Sequence, residues 1–264
     1  MVIRGSVVMN LQLYCMLSIP IVVITIAFSQ HRFSKYSQTR KQHEQFTRFN
    51  APRRIKMEIF TGIEHCIFIN LDHRTDRLEK FTETMNSSGI ECERVASINP
   101  RDSARNYSEL LRSCYDQHVC PGQLGCQLSH IKAVDMAILN NWSNVAIFED
   151  DFKFQPFFDG SQLHSLVNFI TLNSPNWRVI GLSLNIAHDT VIESLPSLQF
   201  GQTYVRMTQI HNAQTTGGLL FRDTEVLKRY RDLISLENCD VRKDYQTAID
   251  QCMKPLQSEV LRVG

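Results

Sequence analysis

The sequence predicts an α/β protein with a mainly parallel central sheet, because short apolar runs alternate with segments of helical periodicity. The folded part opens with the apolar run 66–70, which is typical of a buried strand. Apolar residues then recur at helical spacing over 75–85, and Asp72 resembles an N-cap for this helix. Further strands are expected at 90–96, 145–148, 179–184, 203–207 and 216–221, and further helices at 103–114, 127–140, 161–172, 223–234 and 244–253.

The composition is that of a globular protein. Of the 264 residues, 43% are hydrophobic and 21% are charged, and the formal net charge is +1. This balance gives no electrostatic reason to expect nucleic acid as a partner. The roughly 200 residues that follow the N-terminal region are enough for one domain with a sizeable core.

The N-terminal segment 7–28 is apolar and free of charge, and it is about long enough to cross a bilayer as one helix. A cleaved signal peptide is the alternative, but the apolar run is longer than a usual signal core and no clear cleavage site follows it. We therefore predict a short tail at 1–6, a transmembrane signal anchor at 7–28, a polar stem at 29–62 and a folded domain at 63–264.

Two sequence features disagree about the orientation of this anchor. Basic residues cluster just after the segment, which alone would place the rest of the chain in the cytosol. Three glycosylation sequons, which begin at Asn86, Asn106 and Asn141, would instead suit a lumen. We expect a single-pass protein of the endoplasmic reticulum or Golgi with a lumenal domain, and the orientation stays open at this point.

Eight cysteines contain no CxxC pair, so the sequence does not predict a zinc site of that kind. Cys114 and Cys120 bracket a loop and could form a disulfide in an oxidising compartment. For the remaining cysteines, buried free thiols are at least as plausible.

Three adjacent carboxylates, Glu149, Asp150 and Asp151, end the apolar run that begins at Val145. Like charges side by side repel one another, and such a cluster is most stable where a cation neutralises it. Oxygen ligands suit a hard ion such as magnesium or manganese. In open α/β sheets, ligands gather at the carboxyl ends of strands, which is where this triplet lies. The alternative is a solvated turn after the strand.

The chain contains three sequence blocks that can be compared with a known family. They are HCIFINLDHRTDRLEKF (65–81), PGQLGCQLSHIKAV (121–134) and VAIFEDDFKF (145–154). In this order they resemble glycosyltransferase family 25, which includes bacterial lipooligosaccharide galactosyltransferases and procollagen galactosyltransferases. The resemblance runs from about residue 66 to 257. It implies a GT-A-like nucleotide-sugar-binding sandwich that transfers a hexose, usually galactose, from a UDP-sugar with inversion at the anomeric carbon.

The resemblance assigns the acidic triplet to the family's metal-binding motif. Asp151 would ligate Mn²⁺ (or Mg²⁺), and Glu149 would face the ribose or a metal-bound water. Asp150 would lie with them beside the donor. The ion would bridge both phosphates and neutralise the charge that develops on the departing UDP.

Asn70, Arg74 and Arg77 follow the first strand, where the resemblance places a nucleotide. A guanidinium can bind a phosphate through two hydrogen bonds, and an amide can read a uracil edge. The alternatives are that both arginines pair with Asp76 and Glu79 on a solvated helix face, and that Asn70 only closes a turn.

Gly122 and Gly125 are expected to allow a tight backbone before a helix that begins at residue 127. Ser129 and His130 then fall in the first turn of that helix, whose amides favour negative charge. The resemblance places both beside the donor, where His130 could bond a phosphate or orient a carboxylate. A core histidine bonded to backbone is the alternative for His130.

An inverting transferase needs a base for the proton of the acceptor hydroxyl, and a carboxylate within hydrogen-bond reach is the usual solution. Asp250 matches the family's aspartate on the acceptor side, and Asp244 is the second candidate. Either could instead be an ordinary carboxylate of a helix N-terminus. Three further candidates for substrate contacts precede the last predicted strand: Thr215, Thr216 and Gly217.

The chain ends soon after Asp250, whereas many relatives continue with a stretch that completes the acceptor wall. We expect the domain to be shortened at its C-terminus. His188 or His211 is a speculative substitute for a ligand from the missing part.

Taken together, these features predict a membrane-anchored, metal-dependent inverting glycosyltransferase. It would move a hexose from UDP-galactose or UDP-glucose to a hydroxyl of a glycan or protein. The alternative is a catalytically inactive relative that serves as a binding or adhesion module.

Overall fold

The computed structural model describes residues 14–17, 23–27, 62–102, 104–153, 160–173, 177–186, 192–194, 198–200, 203–210, 213–244 and 247–254. The strands are β1 (Tyr14–Leu17), β2 (Val23–Ala27), β3 (His65–Asn70), β4 (Glu93–Ala96), β5 (Val145–Glu149), β6 (Trp177–Ile186), β7 (Ile192–Ser194), β8 (Leu198–Phe200), β9 (Thr203–Ile210) and β10 (Ala213–Phe221). The helices are α1 (Thr75–Ser87), α2 (Ala104–Arg112), α3 (Cys120–Leu139), α4 (Gly160–Asn173), α5 (Thr224–Leu233) and α6 (Ile249–Cys252).

The strands form two sheets, and the larger one is mixed. Its six strands lie in the order β1-β6-β10-β5-β3-β4. Strand β3 pairs in parallel with β4 and β5, whereas β10 runs antiparallel to β5 and β6, and β1 runs antiparallel to β6. The smaller sheet is antiparallel and joins β2, β7 and β8 to β9. The α/β prediction is confirmed, but the expectation of a mainly parallel sheet holds only for β4, β3 and β5. Buried strands of either direction read as short apolar runs, so the sequence does not distinguish them.

The large sheet is buried on both faces, which explains why its strands are apolar at consecutive positions. In β3, Cys66 and Phe68 face one core while Ile67 and Ile69 face the other. Helices α1 and α4 cover the first face, and α3, α5 and α6 cover the second. The result is a three-layer arrangement of helices, sheet and helices.

The described parts of the predicted transmembrane segment are strands. Tyr14–Leu17 pairs with β6, and Val23–Ala27 pairs with β9. The expectation of a helix is therefore wrong for these residues, and their β-branched valine, isoleucine and threonine favour strands. Within the described ranges, no helix is long and apolar enough to cross a membrane. The rest of segment 7–28 and most of the stem 29–62 lie outside the described residues.

Helix α3 begins at Cys120 rather than at residue 127, so the glycines lie within the helix instead of preceding it. Pro121 lies near its start, where the fixed φ of proline suits a helix. A Cβ added to Gly125 would lie 2.7 Å from the backbone oxygen of Ile98, so this glycine lets α3 pack closely on the loop after β4. Ser129 and His130 consequently lie in the helix interior, and the expectation that first-turn amides surround them is wrong.

Two other helix ends differ from the predictions. The N-cap of α1 is Arg74 rather than Asp72. The carboxylate of Asp72 instead accepts a hydrogen bond from Arg94 (2.6 Å). The helix predicted at 244–253 is reduced to the single turn Ile249–Cys252. Oδ1 of Asp244 accepts from the backbone nitrogen of Thr247 (2.7 Å) and from its hydroxyl (2.9 Å). Such local bonds compete with helix formation.

Among the cysteines whose side chains are described, six form three disulfides. The predicted Cys114–Cys120 bond is present, together with Cys66–Cys92 and Cys239–Cys252. The expectation of free thiols is therefore wrong for those four cysteines. Because β3 pairs with β4, Cys66 and Cys92 become neighbours despite their separation in sequence. Cys126 is the free cysteine among those whose side chains the structure describes.

Candidate functional site

A cleft of about 350 Å³ lies at the carboxyl ends of the three parallel strands, beside α3. Ligands of open α/β sheets gather at this position. Predicted site residues that line the cleft are Arg74, Arg77, His130, Glu149 and Asp150. The fold thus brings together the three sequence blocks at one edge of the sheet.

Asp150 points into the protein. Its side chain is 10% exposed, and Oδ1 accepts a hydrogen bond from Nη1 of Arg77 (2.7 Å). Oδ2 accepts from Nδ2 of Asn70 (2.9 Å). Both oxygens are therefore held by protein groups, which suits a residue that fixes the end of β5 in place.

Asp151 is the outward-facing carboxylate of the triplet. Its side chain is 57% exposed, and Oδ2 accepts a longer bond from Nη1 of Arg77 (3.3 Å). Partial burial and the neighbouring charge of Glu149 raise the pKa of Asp151, although Arg77 opposes the shift. The charge of Asp151 is thus only partly compensated by its protein neighbours.

Glu149 ends β5 and is held by two partners. Oε1 lies 3.2 Å from Nε2 of His130 and accepts a bond from the hydroxyl of Thr216 on β10 (2.5 Å). Burial raises the pKa of Glu149, but the hydrogen bonds and charge of His130, Thr216 and Arg77 outweigh it and leave this pKa below its usual value. Glu149 is therefore an ionised carboxylate with one fixed orientation.

His130 is buried, and its ring connects Glu149 to Tyr230 of α5. Nδ1 lies 3.5 Å from the Tyr230 hydroxyl, on the opposite side of the ring from Glu149. A ring proton on Nε2 satisfies the contact with Glu149, and the tyrosine hydroxyl then faces Nδ1. This arrangement makes His130 a group that orients a carboxylate, one of the two roles considered from the sequence.

Asn70 is 1% exposed, and its side chain is surrounded by protein groups. Oδ1 accepts from Nε of Arg94 (3.0 Å), and Nδ2 donates to the backbone oxygen of Arg74 (3.2 Å) as well as to Asp150. Contact with a uracil edge would have to replace these bonds. The turn-closing interpretation therefore describes the contacts of Asn70 better than the uracil interpretation.

The two arginines of α1 have different partners. Arg74 binds Asp76 through Nε and Nη2, both at 2.9 Å, which is the helix-face pairing considered as the alternative. Arg77 does not follow that pattern, because its guanidinium contacts Asp150 and Asp151. Both side chains line the cleft, so both remain within reach of an anion bound there.

Ser129 lies on the buried side of α3 and away from the cleft lining. Its hydroxyl donates to the backbone oxygen of Gly125 (2.6 Å), accepts from the backbone nitrogen of Ile98 (2.8 Å) and lies 2.9 Å from the hydroxyl of Ser97. These bonds fix the loop after β4 against α3. Ser129 therefore shapes the cleft wall.

Asp250 lies in the turn α6, which the Cys239–Cys252 disulfide ties to the segment after α5. Its Oδ1 accepts from the backbone nitrogen of Gln251 (2.9 Å). Burial raises the pKa of the Cys126 thiol, and the charges of Glu149 and Asp250 raise it further. Asp250 is thus within electrostatic reach of the group around Glu149, whereas the carboxylate of Asp244 closes its own local turn.

Several cleft residues were not anticipated from the sequence. Arg101 lines the far side, and its Nη2 donates to the backbone oxygen of Gln117 (2.6 Å). Cys126 also lines the cleft, and the buried Tyr230 contacts His130 from outside the lining. The separation of four residues between Cys126 and His130 was the available signal, since it puts both on one helical face. Of the other candidates, Thr216 contacts Glu149, and His188 and His211 lie outside the described residues.

Comparison with known proteins places this site in a family. Residues 63–178 match the family model described as glycosyltransferase family 25 (LPS biosynthesis protein). A human protein named inactive glycosyltransferase 25 family member 3 is 29% identical over 149 residues, covering 52% of this chain and 25% of that protein. A glycosyltransferase 25 family member of Aedes aegypti is 28% identical over 106 residues, covering 37% of this chain and 18% of that protein.

Procollagen galactosyltransferase 1 of Danio rerio is 23% identical over 128 residues, covering 45% of this chain and 21% of that protein. The matched part of the chain therefore spans a quarter or less of the length of these three relatives. The family that the three sequence blocks indicated is confirmed. Residues 63–178, which contain those blocks and the acidic triplet, are the part of the chain that matches glycosyltransferase family 25.

Proposed function

We propose that this chain is a metal-dependent inverting hexosyltransferase that moves galactose or glucose from a UDP-sugar to a glycan or protein hydroxyl. The observation that carries the proposal is the cleft itself. It combines Glu149 and Asp150 of the acidic triplet with Arg74 and Arg77 from α1, at the edge of the sheet where nucleotides bind. Asp151, the third carboxylate, contacts Arg77 of this lining. A GT-A-like donor sandwich is the corresponding proposal for the fold.

The carboxylates of the triplet fit a hard divalent ion. The contacts that the structure describes for Glu149 and Asp151 use Oε1 and Oδ2, so the second oxygen of each can face a cation. The raised pKa of Asp151 indicates negative charge that a cation would relieve. Mn²⁺ or Mg²⁺ would be held by Asp151 and Glu149 and would stabilise negative charge on a diphosphate leaving group.

The chain's own residues account for binding and orientation of the donor. Arg74 and Arg77 would meet the diphosphate as charge-assisted hydrogen-bond donors. His130 and Thr216 hold Glu149 in one orientation, and Asn70 and Arg77 hold Asp150. A site that is held in place before its ligand arrives loses less entropy on binding.

Transfer with inversion is a single displacement. The acceptor oxygen forms a bond to the anomeric carbon while the bond from that carbon to the UDP oxygen breaks, and UDP departs with the electron pair. Asp250 would take the proton of the acceptor hydroxyl, since its charge acts on Cys126 together with that of Glu149 and a carboxylate is the usual base for this step. Its disulfide-tied turn would keep that carboxylate near the cleft.

We propose that the chain is a membrane-attached protein of the endoplasmic reticulum or Golgi whose folded domain lies in the lumen. The three disulfides support an oxidising compartment, because such bonds are rare in the cytosol.

A second candidate is a binding or adhesion module without turnover. Two relatives, one human and one from Bos taurus, have names that describe them as inactive or probably inactive. Such a module would keep the fold and would not release UDP.

The test is release of UDP from UDP-galactose and UDP-glucose by the purified chain with Mn²⁺, with and without glycan or peptide acceptors. We expect Asp151→Asn to lower the rate by about 100-fold or more, since loss of one stabilising group commonly costs that much. Glu83→Gln is the matched control, because Glu83 is an exposed carboxylate of α1 outside the cleft lining.

Equal rates for Asp151→Asn and Glu83→Gln would contradict the metal assignment. Folded protein that binds UDP-sugar and Mn²⁺ but releases no UDP would favour the binding module. Failure of the folded protein to bind any nucleotide sugar would remove the transferase proposal.

A further inference from the structure

A second group of potential metal ligands lies inside the cleft. Sγ of Cys126, a ring nitrogen of His130 and a carboxylate oxygen of Glu149 lie within 4.8 Å of one another. Cys126 and His130 are four residues apart on α3 and therefore share one helical face. Glu149 reaches the same point from the end of β5.

The donor atoms of this group differ from those of the acidic triplet. A thiolate and an imidazole are ligands for zinc and similar thiophilic ions, whereas magnesium and manganese prefer oxygen. Ligands of tetrahedral zinc lie about 3.5 Å apart, so atoms separated by at most 4.8 Å need shifts of roughly 1 Å. His130 and Glu149 already approach to 3.2 Å.

The surroundings of the group resemble the outer support of known metal sites. A histidine ligand usually has a hydrogen-bond partner for its second nitrogen, and a carboxylate ligand is usually held by a further donor. Tyr230 faces Nδ1 of His130, and Thr216 donates to Glu149. All three ligand residues also line the cleft, so an ion has an entry path and room for a fourth ligand such as water.

We propose that Cys126, His130 and Glu149 bind a thiophilic divalent ion, with zinc as the expected one. The absence of a CxxC pair argues only against zinc sites built from such pairs. A site of three protein ligands from a helical pair and a strand end, open at its fourth position, is the arrangement of zinc sites that exchange ligands. Binding would release the thiol proton, because the thiolate is the ligand.

The site would also regulate the proposed transferase, because Glu149 belongs to both ion sites. Zinc bound by Glu149 would withdraw it from Asp151, so zinc and manganese would compete. This second statement rests on the proposed function, whereas zinc binding itself does not.

The test uses Co²⁺ as a spectroscopic probe for zinc. A thiolate ligand gives cobalt an intense near-ultraviolet charge-transfer band, and Zn²⁺ should remove that band by displacement. We expect the band in the wild-type chain and in Asp151→Asn, which keeps all three ligands. We expect Cys126→Ser to lose the band and to bind Zn²⁺ more than about 100-fold more weakly, since even supporting residues of metal sites cost 10–100-fold.

A second measurement needs no variant. Iodoacetamide should alkylate Cys126 of the folded wild-type chain more slowly with Zn²⁺ than without it, as read from the Cys126 peptide by mass spectrometry. A wild-type chain with no cobalt band, a band that survives Cys126→Ser, or alkylation that zinc does not slow would overturn the proposal. Zinc binding without inhibition of UDP release would refute only the competition.

Discussion

Replacing Arg77 with alanine tests whether this arginine holds the acidic triplet in place. Its Nη1 lies 2.7 Å from Oδ1 of Asp150, whose side chain is only 10% exposed. Loss of a charge-assisted hydrogen bond to a nearly buried carboxylate costs about 1.5–3 kcal/mol. Breaking a fully buried ion pair would cost about 3–5 kcal/mol, but Arg77 is 36% exposed and water screens part of the interaction. We therefore expect Arg77→Ala to lower the free energy of unfolding by about 2 kcal/mol.

Arg74→Ala is the matched control on the same helix. Arg74 pairs with Asp76, whose side chain is 57% exposed, and water screens such surface pairs, so Arg74→Ala should change the stability little. Urea denaturation of both variants, without metal or nucleotide, measures the difference. For a domain of this size, 2 kcal/mol corresponds to a fall in Tm of about 4–8 °C.

A double-mutant cycle with Asp150→Asn identifies the partner. Removing the charge of Asp150 should make Arg77→Ala much less costly, because little charge would then be left uncompensated. This account of the triplet would be refuted if Arg74→Ala and Arg77→Ala lowered the free energy of unfolding by the same small amount. It would also be refuted if Arg77→Ala cost as much in the Asp150→Asn background as in the wild-type chain.

Three further predictions concern packing, support of the site and pH. Gly125→Ala should destabilise the chain by about 1–3 kcal/mol, because the added Cβ would lie 2.7 Å from a backbone oxygen. Gly122→Ala is the control, because a Cβ added there meets nothing within 4 Å, and it should be neutral or stabilising by up to about 1 kcal/mol. Equal urea midpoints for the two variants would contradict the close approach of Gly125 to the backbone of Ile98. Thr216→Val removes the hydroxyl bond to the first carboxylate of the triplet and should weaken Mn²⁺ binding about 10–100-fold by calorimetry, whereas unchanged affinity would exclude a supporting role. Asp240→Asn should lower stability at pH 7 by about 1 kcal/mol. The Arg242 side-chain hydrogen bonds hold the pKa of Asp240 below its usual value, so its stabilisation exists above pH ~4 and is lost as pH falls through the folded-state pKa. A difference between the two proteins that does not shrink as the pH falls below about 4 would refute that assignment.

The layered α/β fold was predictable because strands that are buried on both faces of a sheet have short continuous apolar sequences. The apolar runs of β3 and β5 and the helical spacing of α1 and α5 each match an observed element. The direction of β10 was not predictable, since an antiparallel strand buried between β5 and β6 has the same apolar composition as a parallel one. The start of α3 was missed because glycine usually weakens helices, whereas Gly125 is required there by a close tertiary contact.

The location of the site was more predictable than the role of each side chain in it. The strand-end rule places Glu149, Asp150 and Arg77 at one edge of the sheet. Residue type alone could not show that Asn70 is enclosed by Arg94 and Asp150, because that depends on which strands are neighbours. The Cys126 thiol was overlooked for the same reason, since its partner Glu149 comes from a different element.

The Cys239–Cys252 bridge has a practical consequence for biochemistry on this chain. It closes a loop that ends beside Asp250, so dithiothreitol in a purification buffer would free the turn that carries this carboxylate. Bacterial cytosol would have the same effect during expression. Periplasmic or secretory production, with thiol reagents omitted from every step, keeps a displaced Asp250 from being mistaken for an inactive protein.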